Sequence, residues 1–183
     1  ETRPYANGYN SVALLYDDSY SVNNDNLSSR IYLDLDTDKD IPLIKDLKFT
    51  INFGFDYRGG DRLEYNNPIH GDGKAVNGYG DKTNFRTLSY TFNQLLNYNK
   101  SFGEHTFDLL AGHEYYDYSY ARFNALKQNY LFEGLTELDG AATTISASSY
   151  THNYRVESYL SRLNYDYSDK YYLSFSWRTD GSS

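Results

Sequence analysis

The sequence contains no cysteine and no methionine, and only three prolines. Without cysteine there is no disulfide framework, no thiolate metal site and no cysteine nucleophile. No run of eighteen or more apolar residues occurs, so no helix of the transmembrane kind can be drawn. The opening stretch, ETRPYANGYN, carries neither the basic nor the apolar segment of a secretory leader. Basic charge is also short: the net charge is -8, and an acidic chain repels phosphate backbones, which argues against nucleic-acid binding.

Aromatic residues are abundant, with 22 tyrosines and 10 phenylalanines in 183 residues. They favour strands, and the Asn, Asp, Gly and Ser clusters between them favour turns. The fold class is therefore all-β. Residues 1 to 27 read as loop with one short strand at Val12–Tyr16. Strands are expected at Ser28–Asp36, Leu47–Tyr57, Phe85–Tyr98, Thr106–Tyr120, Arg155–Tyr167 and Tyr171–Arg178. Short connections (NKSFGEH, SDK) alternate with two long polar stretches, 58–84 and 121–154. Structureless loops beyond about 12–15 residues are uncommon in compact soluble domains. Short turns at one end and long loops at the other are the plan of a transmembrane barrel.

The strand faces differ in composition. One face carries Phe49, Ile51, Phe53, Phe55, Tyr90, Phe92, Phe107, Leu109, Leu163, Tyr165, Leu173, Phe175 and Trp177, and within Leu47–Tyr57, Leu88–Tyr98, Phe107–Tyr115, Tyr159–Tyr167 and Tyr171–Trp177 its register holds no Asp, Glu, Lys or Arg. The other carries Lys48, Asp56, Asp108, Glu114, Arg162 and Asp166. Lipid against one face and water against the other would produce this contrast, because a Lys or Arg facing lipid at the midplane costs about 2–4 kcal/mol. A soluble sheet with its aromatic face on a core gives the same alternation, so pattern alone leaves both open. A membrane-crossing strand needs about 9–11 residues, and Leu47–Tyr57, Phe85–Tyr98 and Thr106–Tyr120 reach that length.

Three stretches go beyond pattern: IPLIKDLKFTINFGFDY (41–57), LNYNKSFGEHTFDLLAGHEYY (96–116) and YLSRLNYDYSDKYYLSFSWRTDGSS (159–183). They carry Phe102-Gly103, His105 and Phe107, then Leu110-Ala111-Gly112 and Glu114. Further on come Arg162, Asn164-Tyr165, Asp169-Lys170-Tyr171, and Arg178 with Asp180 to Ser183. In this order they resemble the barrel of SusC/RagA-type TonB-dependent outer-membrane transporters of Bacteroidetes. The resemblance implies a barrel of about 22 strands closed by a plug. Residues 1–183 would supply about six antiparallel strands, with short periplasmic turns and long extracellular loops. The plug and the remaining strands would lie elsewhere in a longer protein. It further implies energy from a TonB complex, a SusD-like surface lipoprotein over the barrel mouth, and import of a nutrient such as an oligosaccharide or peptide. No enzymatic role and no cofactor follow from it. The competing readings are a soluble, aromatic-rich β-sandwich or barrel domain that binds glycans or cell-surface partners, and a passive porin.

Other constellations point to little chemistry. Asp34, Asp36, Asp38 and Asp40 are spaced like the start of a calcium loop, but Lys39 and Lys45 stand where that loop needs Gly and Glu. His105 and His113 lie about 27 Å apart along an extended strand, too far to share an ion; His70 and His152 fall in the long loops. HGDGKAVNGYGDK fits no nucleotide-binding spacing. The Asp17-Asp18 pair has no second partner placed for glycoside hydrolysis. The ligand candidates are loop aromatics on which a sugar face could stack: Tyr65, Tyr79, Tyr130 and Phe132. Arg178 and Asp180 are expected to pair at the extracellular end of the last strand.

Overall fold

A computed structural model describes residues 11–37 and 45–183. Six strands form one sheet in sequence order: β1 (Ser19–Asp36), β2 (Leu47–Asn66), β3 (Tyr79–Phe102), β4 (His105–Tyr130), β5 (Ala141–Tyr167) and β6 (Tyr171–Ser182). The strands are antiparallel, which suits their direct connections. A short helix, α1 (Ser11–Asp17), precedes them. This corrects the expected strand at Val12–Tyr16: a short apolar run does not by itself separate helix from strand, and Ala13, Leu14 and Leu15 are good helix formers. Asp38, Asp40 and the Ile41–Ile44 part of the resemblance lie outside the described residues.

The tight turns have a local cause. Gly103, at φ 58°, sits between β3 and β4. Between β5 and β6, Ser168 and Asp169 take left-handed φ values of 54° and 55°. Two such residues in succession give the twist that a tight hairpin needs. The Asp169 N–H donates to Asp166 Oδ1 at 2.9 Å, which fixes the turn from its own first strand. At the opposite end of the strands the connections are 67–78 and 131–140, each holding one turn of 3-10 helix, Asp72–Val76 and Leu138–Gly140. The asymmetry between the two ends is as expected, but the strands run far into the stretches 58–84 and 121–154. β5 alone begins at Ala141, fourteen positions (155 − 141) before the expected start at Arg155.

The chain divides into two compact units. Of the described residues, one comprises 11–26, 58–87 and 120–152; its buried centre is Tyr65, Tyr130 and Ala141. The other comprises 27–37, 45–57, 88–119 and 153–183. This second unit has no comparable buried cluster among the described residues. Every residue of β6 is exposed, Trp177 at 51 % included. Leu173, Phe175 and Trp177 lie together on one exposed face of β6.

Candidate functional site

In the second unit the two faces of the sheet are chemically distinct. On one face rings meet across strands: Phe55 and Tyr90 at 5.4 Å between centroids, Phe107 and Tyr165 at 5.0 Å, His105 and Tyr167 at 4.8 Å. The β5–β6 register sets Leu163 beside Phe175 and Ser161 beside Trp177 on this same face.

The other face is a ladder of ion pairs and hydrogen bonds. Asp34 takes Lys48 Nζ at 2.7 Å and the Thr50 hydroxyl at 2.8 Å. Arg30 reaches Asp56 at 2.9 Å, and its side chain lies over Gly54, where a Cβ would stand 3.1 Å from Arg30 Cδ. Asn164 donates to Asp108 and accepts from the Ser174 hydroxyl, with Arg162 within 3.8 Å of the same aspartate. Arg178 bridges Glu114 and Asp180, each at 2.8 Å, and also donates to the Ser158 hydroxyl. The expected Arg178–Asp180 pair is present; that Glu114 joins it depends on strand register and is not visible in sequence.

In the first unit, Tyr65 and Tyr130 cross edge-to-face at 5.1 Å and are almost fully buried. Tyr130 lies over three glycines. A Cβ on Gly80 would strike its hydroxyl, one on Gly78 would crowd its ring, and one on Gly140 would press on Leu135 and just touch the ring at 3.4 Å. Gly78 has φ 89°, open to glycine almost alone. The Tyr65 hydroxyl accepts the Gly134 N–H at 3.2 Å. The Tyr130 hydroxyl is buried without a hydrogen-bond partner among the described residues. Burial, aided by the nearby Tyr65 and Glu137, pushes its pKa up to about 12. Burial also raises the pKa of Tyr65 and of Tyr79.

Of the four aromatic candidates, the fold thus joins Tyr65 and Tyr130 and turns both rings away from solvent. Tyr79 is half-buried at the start of β3, and Phe132 is 68 % exposed in the 131–140 connection. Pattern reading missed the buried Asp81, which accepts from Arg62 at 3.2 Å and from Asn124 at 2.6 Å. These three residues are spread over β2, β3 and β4 inside stretches assigned to loop, so their pairing needed the extended strands. The histidines do not converge: His105 bonds Tyr165 and His113 bonds Glu157, while His70 lies in the 67–78 connection and His152 in β5. Among the described residues, no group of three or more His, Cys, Asp or Glu could hold a metal ion.

No protein-family model matches the chain. It is 36% identical over 113 residues to TonB-dependent receptor P3 of Formosa agariphila, covering 61% of this chain and 11% of that one. It is 25% identical over 163 residues to TonB-dependent receptor SusC of Bacteroides thetaiotaomicron, covering 88% of this chain and 16% of that one. Among solved structures, the RagAB peptide transporter matches with a TM-score of 0.78 at 21% identity, covering 96% of this chain and 19% of that chain. At that identity the likeness is one of fold. The sequence relatives and the shared fold agree on one type of barrel. The chain is a barrel segment of the SusC/RagA type. It spans between about a tenth and a sixth of the length of the curated relatives P3 and SusC. A SusC/RagA-type barrel lies in the outer membrane. No helix among the described residues is long and apolar enough to cross a bilayer; crossing by strands needs none.

Proposed function

We propose that residues 1–183 are part of one TonB-dependent receptor barrel domain whose plug and other strands lie outside this sequence. The whole protein imports a nutrient across the outer membrane and is not an enzyme. The observation that carries this reading is the division of faces in the second unit. Rings and aliphatic side chains occupy the side that suits hydrocarbon, and Asp34–Lys48, Asp108–Arg162 and Glu114–Arg178 occupy the side that suits a wet lumen. Energy comes from a TonB complex, and a SusD-like surface lipoprotein closes the mouth. The substrate class is oligosaccharide or peptide, and the name of the RagAB peptide transporter, which shares the fold, keeps peptide on equal terms. Phe132 is the aromatic placed to meet such a substrate, being exposed beyond the strand ends. Tyr79 is a second, partly accessible candidate, whereas Tyr65 and Tyr130 act by holding the loop base on which substrate contacts are built.

The test uses the full-length protein in a Gram-negative host, with uptake of labelled oligosaccharides and peptides measured before and after collapse of the inner-membrane proton gradient. Saturable uptake that stops on collapse is expected. Uptake that continues unchanged would make the protein a passive pore. Recovery of full-length protein as a monomer in plain buffer would make it a soluble binding domain.

A further inference from the structure

The aromatic face of the second unit is bounded at both ends by hydroxyls aimed away from its middle. Near the β5–β6 turn, Tyr165 sends its hydroxyl toward the turn, to His105 Nδ1 at 2.7 Å, beside the Tyr167–Tyr171 pair. At the other end the direction reverses. Tyr159 donates to Glu157 at 2.8 Å, and Tyr115 donates to Asp117 at 2.9 Å; each carboxylate lies one same-face step farther from the turn. The same carboxylates take His113 Nε2 at 3.1 Å and Arg155 Nε at 2.7 Å. Between the two rims the face holds Leu109, Ala111, Leu163, Ser161, Leu173, Phe175 and Trp177, with no charge.

The spacing of the rims has a physical meaning. From Tyr167 to Glu157 is ten residue steps (167 − 157), about 34 Å along a strand at about 3.4 Å per residue. A strand tilt of about 35–45° reduces that to about 24–28 Å, the height of the apolar band of an outer-membrane barrel, about 25 Å. Tyrosine belongs where an apolar body must end in water, and here the phenols point outward at both limits. Resting on the outward-facing reading above, the geometry points to His113, Tyr115, Asp117, Arg155, Glu157 and Tyr159 as the surface that meets the lipid headgroups of the outer leaflet. The aqueous outside then begins at Arg155, and β5 before that residue stands clear of the membrane.

Single cysteines placed in the full-length protein, otherwise free of cysteine and reconstituted in phospholipid vesicles, test this with a membrane-impermeant maleimide. Asn153→Cys and Arg155→Cys are expected to react at least tenfold faster than Ser161→Cys and Leu163→Cys. Equal, fast reaction at all four positions would overturn the lipid-facing reading itself. Slow reaction at all four would leave that reading standing and overturn the headgroup assignment. Should Leu163→Cys or Arg155→Cys fail to fold, Ser161→Cys against Asn153→Cys makes the same comparison at positions that lose less packing.

Discussion

Tyr130 concentrates the residue-scale energetics of the first unit. Its hydroxyl is buried without a partner among the described residues, which costs roughly 1–3 kcal/mol. Replacing it by Phe removes the cost and keeps the ring, so Tyr130→Phe is expected to leave stability unchanged or raised in urea unfolding of the full-length protein. Tyr65→Phe should instead lower it by about 1 kcal/mol, because the Gly134 N–H loses its acceptor. Gly80→Ala forces a methyl against the Tyr130 hydroxyl and is expected to cost about 1–3 kcal/mol. The phenol also sets a pH dependence. The unfolded side chain ionises near pH 10, while the folded one keeps its proton to about 12. The stabilisation is therefore complete below pH 10 and is lost as pH rises from 10 to 12, by at most about 1.4 kcal/mol per unit. Tyr130→Phe should flatten that segment of the stability–pH curve, and an unchanged slope would count against the burial seen here.

At the scale of the strand, charge placement separates the two faces. Ser161→Arg puts a guanidinium on the aromatic face beside Trp177 and should destabilise the full-length protein in vesicles by about 2–4 kcal/mol. Ser176→Arg, one residue off that face, should cost less than about 1 kcal/mol; denaturant midpoints of the two variants decide it. These faces were legible in sequence because period-two alternation survives wherever one side is apolar. The strand ends were not. Ala141–Tyr154 is exposed along nearly its whole length, so no buried face stamps an alternation on it, and its Thr, Ser and Tyr content suits loop as well as strand. The same blindness hid the Asp81–Arg62–Asn124 cluster, whose members meet only once β2, β3 and β4 run past the aromatic band. The tyrosine candidates were legible as aromatic, but their burial was not, since it depends on three glycines distant in sequence and on a φ that no pattern reveals.

At the scale of the molecule, a six-stranded sheet has two edges, and β6 presents an exposed one with Phe175 and Trp177 beside it. Unpaired backbone groups do not persist in hydrocarbon, so the segment is stable only within a closed barrel. Residues 1–183 expressed alone are expected to aggregate in buffer and to fail to insert into vesicles, whereas the full-length protein inserts and needs detergent for extraction. The most direct measurement of the central claim is a nitroxide scan of β6 in the full-length protein in vesicles, reading collisions with oxygen against a water-soluble nickel complex. Labels at Leu173, Phe175 and Trp177 are predicted to meet oxygen, and labels at Ser174 and Ser176 to meet nickel, alternating with period two. The opposite phase, or no alternation, would contradict the account.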